Sequence, residues 1–341
     1  MSVDPDALSK LVASAGLGAV AFIDPLDGGK NNRVYRVGTS KGPVLLKSYF
    51  RHPDDPRDRL GTEFAFARFA WDHGVRSIPQ PLACDPAAGL GLFEFVVGRR
   101  LNAGEVTADH VTQALDFFVQ LNHAKSDAAA LPNGSEACFS LEDHFGTIAR
   151  RVDRLRAIEP KTELDRFAVE FIGKEFFPVA ARTFDTARRQ AVEQGLDLTT
   201  PLDAANRCLS PSDFGYHNAL LAASDGKLRF LDFEYAGWDD PSKSVGDFFC
   251  QPHAPAPMSE FERFVNTVAN AMPEPEMHVA RAKLLLPIYR VKWVCILLND
   301  FLPVGGSRRA FAGPGAEQES RKADQLAKAH AAVAGLTGVT I

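Results

Sequence analysis

Three residues constrain this chain more than any others: Asp213, Asn218 and Asp232. Asn218 follows Asp213 by five positions, and Asp232 lies fourteen beyond Asn218. Between the last two lie an apolar run Ala219–Ala222, a polar turn Ser224–Lys227 and a second apolar run that begins at Leu228. Two short strands joined through Asp225-Gly226 read as a hairpin, because Asp-Gly accepts the positive φ angles of a tight turn. With Asp225 and Gly226 as the central pair, Asn218 is expected opposite Phe233, one position from Asp232. Both oxygen-bearing side chains then lie near the open end of one hairpin. That placement suits a hard, octahedral cation that takes a few protein oxygens and completes its shell with phosphate and water. A surface hairpin with polar ends is the plainer reading of either residue alone; the joint spacing favours a site.

Around the hairpin the hydrophobic period changes along the chain. Strands are expected at Ala19–Ile23, Arg33–Val37, Val44–Phe50, Pro81–Cys84 and Leu92–Val97. A helix over Arg57–His73 separates the third from the fourth, with Leu60, Phe64, Ala67 and Trp71 at helical spacing. After Gly98 the pattern turns helical: Thr107 caps a helix to His123, and others follow at Leu141–Ile158, Glu163–Gln194, Ser244–Cys250, Glu260–Ala271, Glu276–Phe301 and Ala316–Ala334. The expected domains are residues 1–97, strand-rich, and residues 98–341, helical and carrying the hairpin.

Composition narrows the function classes. The chain is 45% hydrophobic and 24% charged, as expected of a globular protein. Its net charge of −5, with no basic tract, argues against a nucleic-acid partner. No apolar run is long enough to span a bilayer. The five cysteines are scattered without metal-ligand spacing, and the N-terminus is acidic rather than signal-like. A cytoplasmic protein with reduced thiols is expected. Oligomeric state is left open.

The stretch Leu209–Phe248, with Asp213, Asn218 and Asp232-Phe233-Glu234, resembles the aminoglycoside phosphotransferase and choline kinase-like family of small-molecule kinases. In order of parts the resemblance extends over most of the chain. It implies an α+β, bilobal, protein-kinase-like fold, with a β-rich N-lobe and a mainly helical C-lobe that carries a catalytic β-hairpin. It implies transfer of the γ-phosphate of ATP or GTP to a hydroxyl of a small molecule. Asp213 would be the base, and Asn218 and Asp232 would hold Mg²⁺.

Other positions take roles from the same resemblance. Lys47, inside an apolar strand, would pair with the α/β-phosphates, and Glu63, the only Glu of the next helix, would be its partner. An outward-facing lysine and an Arg59–Glu63 pair are the plainer readings. Gly28, Gly29, Asn31 and Asn32 would bring backbone N–H groups to phosphate oxygens, or simply form a hairpin turn. Glu94 and Val96 lie on a hinge that would read adenine through its backbone, and Gly98 would let the chain turn there. Asp247 would brace the catalytic loop.

The chain departs from the family's His-x-Asp at Pro211. His217 either touches substrate or is a hydrogen-bonded structural histidine. Glu234 is either a further metal or water ligand or a polar strand end. For the acceptor, Glu142, Asp143, Trp238, Tyr289, Arg290 and Trp293 are candidates, and Trp238 with Tyr289 could cage a quaternary ammonium, stack on a sugar or only pack. An amino alcohol or a sugar-like compound is the expected acceptor. The alternatives are a catalytically silent, nucleotide-binding regulatory module and a fold that transfers AMP.

Overall fold

The structure, a computed structural model, describes residues 3–26, 32–51, 57–302 and 318–337. The chain forms two compact units: Met1–Ser135 with Leu209–Trp238, and Glu136–Cys208 with Asp239–Ile341. All of the hairpin belongs to the first unit.

The first unit is built on an antiparallel five-stranded sheet in the order β1-β2-β3-β5-β4. Its strands are β1 (Val20–Leu26), β2 (Arg33–Thr39), β3 (Gly42–Ser48), β4 (Pro81–Asp85) and β5 (Leu90–Glu94). β1 runs beyond the expected end at Ile23 and includes Pro25, opposite Tyr35. A strand can carry a proline there because β1 is at the sheet edge, where one row of N–H groups needs no partner. α1 (Pro5–Ser14), capped by Asp4, buries Leu8, Leu11 and Val12 against Val37, Val44, Leu46, Leu90 and Leu92. α2 (Arg59–Asp72) begins at Asp58, whose carboxylate accepts the Gly61 N–H at 2.9 Å. It buries Leu60, Phe66, Ala67 and Ala70, and also the charged Glu63. α3 (Ala108–His123) is capped by Thr107, as its sequence predicts.

A second, three-stranded sheet has the order β6-β8-β9. It comprises β6 (Gly98–Arg99), β8 (Ala219–Ala222) and β9 (Leu228–Phe230), and β7 (Cys208–Ser210) precedes β8 in the chain. Gly98 is needed here for a reason other than freedom to turn: a Cβ on it would lie 2.6 Å from the Leu221 carbonyl oxygen on β8. The hairpin register also differs from expectation. Ala219 pairs with Phe230 and Leu221 with Leu228, and the Leu231 N–H donates to the Asn218 carbonyl at 2.8 Å. Asn218 is therefore opposite Leu231 rather than Phe233. The cause is a loop of four residues, not two: the Gly226 N–H closes on the Ala222 carbonyl at 2.9 Å, with Gly226 at φ 68°. Asp225 ties the loop by accepting the Lys227 N–H at 3.0 Å. Asn218 still ends one position from Asp232.

Phenylalanines floor the hairpin. Phe117 of α3 stacks on Phe230 with ring centroids 4.7 Å apart. Phe214 lies 5.8 Å from Phe117, and Phe66 of α2 lies 5.1 Å from Phe233. Because Phe214 follows Asp213 and Phe233 follows Asp232, burial of these rings fixes the backbone that carries both carboxylates. A buried aromatic ring contributes about 1.5–3 kcal/mol.

The second unit is helical: α4 (Leu141–Arg154), α5 (Glu163–Phe171), α6 (Phe177–Glu193), α7 (Pro241–Cys250), α8 (Phe261–Asn270), α9 (Pro275–Leu298) and α10 (Gln318–Thr337). The single helix expected over Glu163–Gln194 is divided by a π-helical turn, Ile172–Phe176. Pro178 sits in the first turn of α6, where its missing N–H and its ring disrupt the α-helical ladder of the preceding turn. α9 is core over most of its circumference and contains Pro287. Among the described residues, no helix is long and apolar enough to cross a membrane.

Three buried aspartates organise this unit. Asp239 pairs with Lys243 and accepts the Cys138 N–H. Asp240 caps α7 by accepting the Ser242 N–H at 2.7 Å, and it also receives Arg281 and His144. Asp247 receives Lys292 and the Trp293 indole N–H at 3.1 Å.

Burial opposes a charge on His144, but the Cys138 sulfur and the Asp240 carboxylate overcome it and hold the imidazole up at about 9. The unfolded histidine titrates near pH 6.5. A folded value above the unfolded one gives stability that is complete below about pH 6.5 and is lost as pH rises through 9. The shift corresponds to about 3 kcal/mol at most. Urea unfolding should show wild type weakening between pH 6.5 and 9.5 and His144→Gln changing less. Equal losses in both would remove His144 from this role.

Candidate active site

Lys47 lies on β3, opposite Val34 of β2 and Gly91 of β5. Its ammonium is 2.7 Å from Glu63 Oε1 and 2.9 Å from Asp232 Oδ1. Burial works against the Lys47 charge, but Asp232 and then Glu63 overcome it and hold the ammonium well above the usual lysine range. Burial acts first on Glu63 as well, raising it, with Lys47 opposing. The Arg59–Glu63 alternative is not adopted: Arg59 lies over the Tyr235 ring, 5.8 Å from its centroid.

Glu63 holds more than the lysine. Its Oε2 accepts the Tyr49 hydroxyl at 2.6 Å, and its Oε1 also accepts the Phe233 N–H at 3.4 Å. One buried carboxylate thus joins β3, α2 and the segment that carries Asp232. No local signal marks Tyr49, because a tyrosine on an apolar strand is ordinary core until its hydroxyl is seen to have a partner.

Asp213 follows a strained turn. Its N–H donates to the Pro211 carbonyl at 2.9 Å, with Ser212 at φ 67° between them. Left-handed backbone is uncommon for a serine, and the Ser210 hydroxyl supports it by accepting the Ser212 N–H at 3.0 Å. A one-turn 3-10 helix, Tyr216–Asn218, then turns the chain back. The Asn218 amide nitrogen donates to the Asp213 carbonyl at 3.0 Å and to Asp213 Oδ2 at 3.2 Å. His217 Nε2 is 3.1 Å from Asp213 Oδ1.

These contacts bear on a metal. With its nitrogen committed to Asp213, Asn218 keeps its carbonyl oxygen for a cation. Asp232 sits at φ 68°, and its side chain is 41% exposed. Only its Oδ1 is bonded by a protein donor among the described residues. Among those residues no cluster of three His, Cys, Asp or Glu side chains could hold a metal. Two protein oxygens with phosphate and water fit Mg²⁺, which binds few carboxylates and keeps its water.

The remaining expected residues divide. Gly28, Gly29 and Asn31 lie outside the described residues. Asn32 is buried, and its side chain is committed: its Nδ2 donates to Glu234 Oε2 at 2.8 Å and its Oδ1 accepts the Phe50 N–H at 3.3 Å. Glu234 is likewise buried, so its place is a strut to Asn32. On the hinge, the Glu94 N–H is taken by the Gln80 carbonyl at 2.8 Å. Val96, half-buried, makes no backbone hydrogen bond among the described residues. Tyr289 cannot form a cage wall: it is 1% exposed, and its hydroxyl bonds His144 Nδ1 at 2.8 Å. Trp238 is anchored by its indole N–H to the Ala128 carbonyl at 3.2 Å. Glu142 is paired with Arg188, and Asp143 caps α4.

The sequence profile of the phosphotransferase enzyme family matches residues 23–271. The chain belongs to this family. No curated protein matches the phosphotransferase by sequence. Among solved structures it is similar to a choline/ethanolamine kinase family protein from Mesorhizobium loti, at 18% identity and TM-score 0.58 over 98% of this chain and 95% of that one. It is similar to a choline kinase from Streptococcus pneumoniae, at 14% identity and TM-score 0.58 over 97% and 98% of the two chains. A spectinomycin phosphotransferase with bound AMP matches at 13% identity and TM-score 0.64 over 98% and 99%. At these identities the likeness is one of fold. The phosphotransferase therefore has a kinase-like fold, with a sheet-containing N-terminal part and a helical C-terminal part.

Proposed function

We propose that the protein moves the γ-phosphate of ATP or GTP to a hydroxyl of a small molecule, an amino alcohol or a sugar-like compound. The observation that carries this reading is the joining of Lys47, Glu63 and Asp232 in one ionic cluster, with Lys47 and Glu63 buried. Asp213 and Asn218 lie on the same hairpin unit. Asp213 accepts the acceptor's hydroxyl proton while that oxygen bonds to the γ-phosphorus. The bond to the β–γ bridging oxygen breaks, and the nucleoside diphosphate leaves. Lys47 neutralises phosphate charge, and Glu63 keeps it in place. Mg²⁺, when bound by Asn218 and Asp232, would neutralise charge on the β- and γ-phosphates. Val96 offers its backbone groups to a purine, and the sequence resemblance assigns Gly28, Gly29 and Asn31 to the phosphates.

A lobe boundary near residue 97 and a cytoplasmic site of action belong to the same proposal. The five free thiols are consistent with a reducing compartment. Because every chemical group of transfer is present, a silent regulatory module is the weaker reading.

The test is incubation with Mg²⁺-ATP or Mg²⁺-GTP and a panel of amino alcohols, sugars and aminoglycosides, with products read by mass spectrometry. A gain of one phosphoryl group on a hydroxyl, with matching nucleoside diphosphate, is expected. A nucleotidyl gain would reassign the chemistry to AMP transfer. Nucleotide binding without any product would favour the silent module.

A further inference from the structure

We infer that His217 is the positioning residue of the Asp213 carboxylate. The inference rests on the kinase reading for its effect on rate, but its geometry stands alone. On the N-terminal side of Asp213, Pro211 has no side-chain donor and Ser212 is held at φ 67°. Steering is supplied by residues that follow. The 3-10 turn Tyr216–Asn218 brings position 217 back over position 213. His217 Nε2 then meets Asp213 Oδ1 at 3.1 Å, with the His217 side chain only 16% exposed and the Asp213 side chain 40% exposed. Asn218 Nδ2 meets Oδ2 at 3.2 Å.

An ionised carboxylate only accepts hydrogen bonds, so Nε2 carries the imidazole proton and donates it. Each Asp213 oxygen thus accepts a side-chain hydrogen bond, Oδ1 from His217 and Oδ2 from Asn218. His217 Nε2 also lies 3.3 Å from Asn218 Nδ2. The imidazole therefore packs against the Asn218 amide, which the Asp213 main-chain carbonyl holds independently of His217.

The contact runs through Nε2, which gives a discriminating series. The amide nitrogen of glutamine can reach the position of a histidine Nε2, whereas that of asparagine reaches only the Nδ1 position. His217→Ala and His217→Asn should lower kcat for Mg²⁺-ATP turnover, with water or a panel acceptor, by about 10–100-fold. KM for Mg²⁺-ATP and its thermal shift should not move. His217→Gln should recover most of the rate. Crystal structures of His217→Ala and His217→Gln should show the Asp213 carboxylate turned in the first and restored in the second.

Unchanged kcat in His217→Ala, equal losses in the Ala and Gln variants, or an Asp213 carboxylate that keeps its orientation in His217→Ala would overturn the inference. If wild type neither binds nor turns over Mg²⁺-ATP, the kinase reading fails instead. The carboxylate orientation in the variant structures then still decides the role of His217.

Discussion

Asp213→Ala should lower phosphoryl transfer by about 10²–10⁴-fold, the usual contribution of a positioned general base, while nucleotide binding stays within about twofold of wild type. The separation follows from where the carboxylate sits. Asp213 contacts His217 and Asn218, whereas Lys47 is held by Glu63 and Asp232. Removing Asp213 therefore leaves the Lys47–Glu63–Asp232 cluster intact. Stability should change little, because the lost side chain is 40% exposed and its partners can turn to water. Asp213→Asn is the sharper companion variant. It keeps the size of the side chain and can still accept a hydrogen bond from His217, but it cannot take the hydroxyl proton. It should be as inactive as the alanine variant. Steady-state turnover and Mg²⁺-ATP thermal shift, measured on both variants, separate base from scaffold. Unchanged turnover in either would remove Asp213 from the base role.

The sequence made some of this site readable because local chemistry and tertiary placement agree there. Glu63 is charged beside the apolar Leu60 and Phe64, so it needed a buried partner, and Lys47 on the preceding strand supplies it. Asp225-Gly226 announced a hairpin. Its register differs from that of a two-residue loop because Gly226 closes a loop of four. Asn218 stays beside Asp232 in either register, since a shift of two residues keeps each side chain on its own face.

Other contacts carry no local signal. Asn32 and Glu234 are 202 positions apart and meet only in the folded chain. His217 reaches Asp213 because a 3-10 turn, not a strand, precedes Asn218, and no apolar period marks so short a turn. Tyr289 looked like a pocket wall because an aromatic residue on an apolar helix reads the same facing a ligand or facing the core. Gly246 packs against that ring so closely that a Cβ there would lie 2.3 Å from it. Asp247 is bonded by Lys292 and Trp293, partners that lie 45 and 46 positions away.

The second large effect concerns Asp232. Its carboxylate is the only group in the cluster that bonds Lys47 and is also substantially exposed. Asp232→Asn keeps the shape of the side chain and removes its negative charge. Lys47 retains Glu63 at 2.7 Å, so the unliganded fold should survive. What should be lost is the charge that holds Mg²⁺ against the nucleotide. A ligand at 100 times its Kd stabilises the folded state by about 2.7 kcal/mol, which corresponds to a rise in Tm of roughly 5 °C in a chain of this size.

The most direct test is a thermal shift with Mg²⁺-ATP, Mg²⁺-GTP and each nucleotide in EDTA, on wild type and Asp232→Asn side by side. The expected result is a rise in wild type that needs both nucleotide and magnesium and is absent from the variant. A wild-type rise that persists unchanged in Asp232→Asn, or no rise with either nucleotide, would contradict a nucleotide–metal site at this hairpin.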